Sequence, residues 1–282
     1  MKILAIDTSS KSATVAITEN EEKLIELNNA DEKTHSQKLM VMIDKAFKQT
    51  NLQLDDIGLI ARALGPGSFT GVRIGIATAK AFADSKNIPT AGVNSLEELA
   101  YNLNTEGYIG SLIDAGHGNV YAGFFKIEKD KTGKLQTVKE DLKFLNLKDE
   151  NDKISENKLI EFIESNVKNG STEYTKTSNS AETGETTVHF VGDATVIYEE
   201  LFENLKTKVL YEIKLANASQ TVASGITLAQ LGYTKYKNGQ YGNSAILKPV
   251  YLRKSQAELA LEEKGKIWIY KLQKCNYLTL KK

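Results

Sequence analysis

The chain has 282 residues, 41% of them hydrophobic and 26% charged, with 36 basic against 36 acidic side chains. That balance suits one large or two modest domains with a proper core, and it lacks the basic field expected of a protein that holds nucleic acid alone. A single cysteine, Cys275, excludes an internal disulfide frame and a thiolate cluster for zinc.

Lys2–Asp7 reads as a buried strand, Ser12–Thr18 as a second and Lys23–Asn28 as a third, an antiparallel meander. Asp7 comes too early for a signal peptide, and no apolar run reaches about 18 residues, so a cytoplasmic protein with no membrane span is expected. A helix is predicted from about Thr34 to Thr50, with Leu39, Met42, Ile43, Ala46 and Phe47 on one face. Met40 and Val41 widen that apolar surface, which leaves open an ordinary core helix or a second partner outside the chain. His35, at its head, reads as a capping or interface residue.

Leu59–Leu64 is a strand that feeds into Gly65-Pro66-Gly67-Ser68-Phe69-Thr70-Gly71-Val72-Arg73-Ile74-Gly75. Ser68 is placed to cap a helix reaching about Asp84. In that helix Gly71, Gly75, Ala79 and Ala83 recur every four residues, a stripe without bulk. Each interior glycine costs roughly 0.5–1 kcal/mol against alanine, so close packing is expected along the stripe, most simply by another helix. Thr90–Val93 is a short strand and Leu96–Leu103 a helix, with Ser95 as cap and Glu98 completing a capping box.

The opening pattern then returns. Ile109–Asp114, a turn at Ala115–Gly118 and Asn119–Phe125 form strand, turn and strand. Ile113-Asp114-Ala115-Gly116 sets an aspartate where Ile6-Asp7-Thr8-Ser9 does, which predicts a duplicated unit and two related lobes. The polar stretch 128–187 reads as an insertion with at most one helix, Ser155–Val167, and Ser171–Thr187 is too poor in apolar residues to pack. Val188–Gly192 is a strand, Thr195–Leu205 a helix, and Thr221–Lys237 a longer helix with Val222, Ile226, Leu228, Ala229 and Leu231 as its apolar side. Residues 1–105 are expected to form one lobe, completed by the helix at about 221–237. Residues 106–265 form the second, and 266–282 are an extension that adds an edge strand.

No chemistry is complete in the sequence. His35, His117 and His189 stand apart with no HxxxH or HExxH pair, so no metal site and no catalytic residue is assigned. No serine sits in a G-x-S-x-G elbow, and Ser68 is better explained as a cap. The glycine turn is neither GxGxxG nor GxxxxGK[ST]. Even so, Asp7, Thr8, Ser9, Gly67, Asp114, Gly116, Gly192 and Asp193 mark a possible nucleotide or phosphate cleft between the lobes. The alternative at each aspartate is a tight turn in which its carboxylate accepts backbone N–H groups. Only three arginines occur, Arg62, Arg73 and Arg253, and such scarcity suggests specific jobs.

Taken together, the glycine-turn motif, Ile6-Asp7-Thr8-Ser9, His35-Ser36, Ile113-Asp114-Ala115 with Val120-Tyr121-Ala122, Val191-Gly192-Asp193 and Tyr251-Leu252-Arg253 resemble the TsaB (YeaZ) family over residues 1 to about 258. The resemblance implies an α/β, actin-like, ribonuclease H-type fold of two lobes. It implies a non-catalytic partner in tRNA threonylcarbamoyladenosine synthesis, paired with a catalytic TsaD-like paralogue, joined by a TsaE-like ATPase, meeting tRNA only through the complex and forming a homodimer when alone. No cofactor of its own is implied, with ATP or ADP expected at or near the complex interface. The implied partner surface is the helix headed by His35 together with the helix after the glycine turn: His35, Leu39, Met42, Ile43, Phe47, Ser68, Gly71, Val72, Gly75, Ile76, Ala79 and Ala83. The family's usual arginine after Asp-Ala in the second hairpin is Gly116 here. Two competing readings remain: a free-standing ATP-dependent phosphotransferase of this fold, and a metallopeptidase, for which metal ligands are lacking.

Overall fold

In the computed structural model, which describes residues 1–10, 12–29, 35–168 and 186–253, the sheets carry the duplication. The first sheet contains β1 (Lys2–Asp7), β2 (Ala13–Glu19), β3 (Glu22–Asn29), β4 (Ile57–Ala63) and β5 (Thr90–Val93), in the order β3-β2-β1-β4-β5. β1, β2 and β3 pair antiparallel, whereas β4 and β5 run parallel to β1. The second sheet contains β6 (Gly107–Gly116), β7 (Asn119–Lys129), β8 (Leu135–Asn146), β9 (Thr187–Val191) and β10 (Glu212–Leu215), in the order β10-β9-β6-β7-β8. Its three antiparallel strands followed by two parallel ones repeat the first sheet strand for strand. This is the actin-like, ribonuclease H-type arrangement, built twice.

Alternation along the strands assigns the cores. Leu4 and Ile6 of β1 face one side of the first sheet, where α1 (His35–Thr50) and α2 (Phe69–Lys86) cover them. Ile3 and Ala5 face the other side, under α7 (Gly225–Lys237). α7 lies close to its sheet because small residues meet small residues: a Cβ on Gly225 would stand 2.7 Å from Ala16 Cβ. The second sheet buries Phe124, Phe190 and Val188 under α4 (Asn157–Lys168) and α6 (Glu199–Lys208). α3 (Ser95–Tyr101) packs on β6 and β7, and a single turn, α5 (Ala194–Ile197), precedes α6.

Several expectations need correction. Residues 128–187 are not wholly an insertion, because Leu135–Asn146 is a full strand of the second sheet. α3 is capped by Asn94, whose Oδ1 accepts from Leu96 N at 2.8 Å, and Glu98 makes no capping box: its Oε1 accepts from Ser224 N at 3.0 Å. α7 begins after the Ser224 cap, so Thr221 and Val222 are not helical and Val222 is exposed. The predicted helix Thr195–Leu205 is broken at Tyr198, where φ and ψ are −112° and 40°. Ser171–Thr187 falls outside the described residues except its last two positions, and 266–282 falls outside them entirely. Met1–Val250 form one unit and Tyr251–Lys282 another; in the latter Tyr251 is exposed. Among the described residues no helix is long and apolar enough to cross a membrane.

Candidate functional site between the strand ends

The glycine turn is a clasp. Ser68 N donates to Ser9 O at 2.7 Å, Gly71 N donates to Ser68 Oγ at 3.2 Å, and Thr8 Oγ1 donates to Gly71 O at 2.5 Å. These bonds bring the turn after β1 against the start of α2, backbone to backbone. A Cβ on Gly67, where φ is +153°, would overlap the Ser9 carbonyl, and one on Gly71 would overlap the Thr8 carbonyl. Glycine is required at both positions by this approach. Gly67 therefore serves the clasp, and the N–H groups of Ser68 and Gly71 have partners within the chain. Ser68 is a cap, as its position before the helix predicts.

Beneath the clasp lies Arg62, on β4 and fully buried. Its Nη1 donates to Ile6 O at 2.8 Å and lies 3.4 Å from Asp7 Oδ1; its Nη2 donates to Thr8 Oγ1 at 2.9 Å and to Val72 O at 3.2 Å. The guanidinium occupies the space beside Gly75, where a Cβ would stand 2.5 Å from Arg62 Cζ and from Thr8 Oγ1. Burial pulls the Arg62 pKa down from its ordinary value, and the charge of Asp7 opposes that pull. Glu98, also buried, is pushed well above the usual carboxylate range, first by burial and then by the charge of Asp7. Asp7 Oδ1 accepts from Ser9 N at 2.6 Å, whereas Asp7 Oδ2 is buried without a partner.

The second lobe repeats the aspartate turn. Asp114 Oδ1 accepts from Gly116 N at 3.1 Å, two residues on, just as Asp7 accepts from Ser9. It also accepts from the Tyr198 hydroxyl at 2.9 Å. Burial, and then this bond to Asp114, push the Tyr198 pKa up to about 12. Asp193 Oδ1 accepts from Asp114 N at 2.9 Å and ties the loop after β9 to β6. Gly192 has φ +111° and its missing Cβ would overlap the Leu112 carbonyl.

Between these turns lies a cavity of about 220 Å³. Asp7, Ser9 and Ser95 line one side, Ile113 and Asp193 the other, with Ala223 ahead of α7 closing it. Of the predicted cleft residues it brings together Asp7, Ser9 and Asp193; Thr8, Gly67, Asp114, Gly116 and Gly192 do not line it. Its described lining contains two carboxylates and no lysine or arginine. Sequence reasoning missed Ser95, Glu98 and Tyr198 as members of this region. It singled out Arg62 only by scarcity. Among the described residues no group of three or more His, Cys, Asp and Glu is placed to hold a metal ion.

The predicted partner surface needs the largest correction. Leu39, Met42, Ile43, Gly71, Val72, Gly75, Ile76, Ala79 and Ala83 are buried in this chain's own core or against Arg62 and Thr8. The small-residue stripe therefore admits the chain's own sheet and arginine, not another protein's helix. Phe47 packs partly buried against the same core, Ser68 is exposed, and the side chain of His35 lies outside the described residues. The outward faces of α1 and α2 carry other residues. Met40 is 50% exposed, Val41 64% and Phe69 47%, and Arg73 stacks over the Phe69 ring at 3.7 Å.

Comparison with known proteins fits this geometry. The family model described as TsaD, tRNA N6-adenosine threonylcarbamoyltransferase, matches residues 29–261. The chain is 37% identical over 139 residues to a tRNA threonylcarbamoyladenosine biosynthesis protein TsaB of Bacillus subtilis, covering 49% of this chain and 59% of that one. It is 34% identical over 134 residues to the TsaB of Haemophilus influenzae, covering 46% and 56% respectively. The chain thus spans less than two thirds of the length of these curated relatives. A crystal structure from Pseudomonas aeruginosa, of a protein described as similar to peptidase YEAZ, superposes with a TM-score of 0.64 at 20% identity, over 89% of this chain and 99% of that one. With most of its length, residues 29–261, matched by the family model, the chain belongs to the TsaD-type tRNA N6-adenosine threonylcarbamoyltransferase family.

Proposed function

We propose that the chain acts as a non-catalytic, activating subunit in the synthesis of N6-threonylcarbamoyladenosine in tRNA, in the cytoplasm, by pairing with a TsaD-type catalytic paralogue. The observation that carries this reading is the outer face of α1 and α2, where Met40, Val41 and Phe69 are exposed on neighbouring helices. Large apolar side chains left exposed on packed helices are candidates for an association surface. A TsaE-like ATPase joins the pair, tRNA is met only through the complex, and the same face makes a homodimer when the paralogue is absent. Any ATP or ADP sits at or near the complex interface; the cavity of this chain carries the carboxylates Asp7 and Asp193 in its described lining, which disfavour a polyphosphate. Its aspartate turn is also committed within the chain: Asp7 Oδ1 is held by Ser9 N and Arg62.

The test is co-purification of the full chain with a TsaD-type partner, followed by assay of tRNA modification with and without it. Val41→Glu is expected to leave folding intact and to weaken co-elution at least tenfold. Equal modification of tRNA whether or not the chain is added overturns the proposal.

A further inference from the structure

The geometry points to a small-molecule site in the cavity between the strand ends, and we propose that it takes an uncharged-to-cationic hydrogen-bond donor with a short hydrocarbon body, an amine or amino alcohol, and not a phosphate. Three observations converge. Asp7 lines the cavity and is only 1% exposed, and its Oδ2 has no hydrogen-bond partner. A buried acceptor left unmade costs about 1–3 kcal/mol, more when charged, so a donor belongs beside it. Asp7 Oδ1 is already used by Ser9 N and Arg62, whereas Oδ2 accepts from no group among the described residues. The cavity walls divide into two kinds. Ser10 and Ser12 supply hydroxyls, whereas Leu99, Ile113 and Ala223 are apolar, which matches a ligand with one polar head and a small hydrophobic remainder. Finally, a volume of about 220 Å³ is below the roughly 300–1,000 Å³ typical of drug-sized ligands. It has room for a molecule of a few heavy atoms. Ligand binding here is separate from the outer α1 and α2 face and does not rest on the proposed pairing.

The experiment uses the full chain with 1-amino-2-propanol as probe, and isobutyrate and inorganic phosphate as controls, read by saturation-transfer NMR and calorimetry. The amino alcohol is expected to saturate at about millimolar concentration, as suits so few atoms, and the two anions to give no signal. Asp7→Asn is expected to weaken the probe at least tenfold. Because that change also touches Arg62, Ala223→Leu is the second variant: it fills the cavity from the far wall, leaves the carboxylate in place and is expected to abolish the signal. A crystal structure with the probe should show its donor at hydrogen-bond distance from Asp7 Oδ2. The proposal is overturned if no probe binds the folded wild type, if isobutyrate binds as well as the amine, if Ala223→Leu binds unchanged, or if a water alone fills the position beside Asp7 Oδ2 at saturating probe. Co-elution with a TsaD-type partner, measured on the same variants, reports on the pairing independently.

Discussion

Replacing Gly75 by alanine separates two meanings of the small-residue stripe. In an exposed helix the change is favourable, because glycine is about 0.8–1 kcal/mol worse than alanine. If the stripe were open to a partner, Gly75→Ala would stabilise the isolated chain and impair only association. The structure predicts the opposite. The new Cβ would stand 2.5 Å from Arg62 Cζ and Thr8 Oγ1. Arg62 cannot swing aside cheaply: it is fully buried and tied to Ile6 O, Thr8 Oγ1, Val72 O and Asp7. Overpacking costs about 1–3 kcal/mol and a lost bond to a charged group about 1.5–3 kcal/mol. With one such bond lost, and after subtracting the helix gain, a net destabilisation of about 1.5–5 kcal/mol is expected. Urea unfolding followed by circular dichroism measures it, with m unchanged to show that the same transition is compared. A midpoint equal to or above that of the wild type would refute the assignment of Gly75 to the Arg62 pocket and return the stripe to an external partner.

Other consequences follow from the same region. Glu98 has its folded pKa raised, so the folded state binds more protons and stability falls as pH rises from the ordinary carboxylate range through the folded value. Glu98→Gln keeps an acceptor for Ser224 N and removes that titration, so its stability relative to wild type should improve as the pH is raised above the ordinary carboxylate range; a difference that stays constant with pH in paired urea titrations would contradict this. Gly192→Ala should destabilise by about 2 kcal/mol or more, since φ is +111° and the Cβ meets the Leu112 carbonyl; a thermal melt within 2 °C of wild type would contradict this. Tyr198→Phe removes the bond to Asp114 and should cost about 1–2 kcal/mol, while spectrophotometric titration of the wild type should show one phenol ionising near pH 12 that the variant lacks.

The duplicated hairpin was legible because it leaves a local mark. An aspartate at a strand end, with its carboxylate turned back to the N–H two residues on, needs only a few neighbouring residues, and both copies make that bond. Helices α1, α2 and α7 were legible from periodicity, although the start of α7 moved because Ser224, not Thr221, supplies the capping hydroxyl. β8 was not legible. It is an edge strand, and its Lys139, Glu140, Asp141 and Lys143 are the charged residues with which sheet edges are blunted, so its composition imitates a loop. β10 is four residues long and too short to show a period. The stripe on α2 was seen, but spacing reports only that something comes close. Which object does so depends on Arg62, thirteen positions before Gly75 in the next strand to β1, and no local pattern connects the two.

That same arginine explains why two copies of one hairpin do different work. In the second lobe the aspartate turn is held by neutral donors, the Gly116 N–H and the Tyr198 hydroxyl. In the first, a buried cation sits behind the aspartate and spends its hydrogen bonds on the backbone of β1 and α2. A buried pair broken on one side costs about 3–5 kcal/mol, so the Asp7 Oδ1 contact with Arg62 cannot be given up without loss of stability, and only Oδ2 is left to face the cavity. Removing Arg62 would leave Asp7 charged and unpaired in the core, beside a Glu98 already pushed toward its neutral form. Arg62 thus ties the first aspartate turn to α2 as a structural lock. The α2 helix presents Phe69 and Arg73 outward, and its inner face is fixed by that lock. A fixed inner face with Phe69 exposed on the outer one is the arrangement on which the proposed pairing rests.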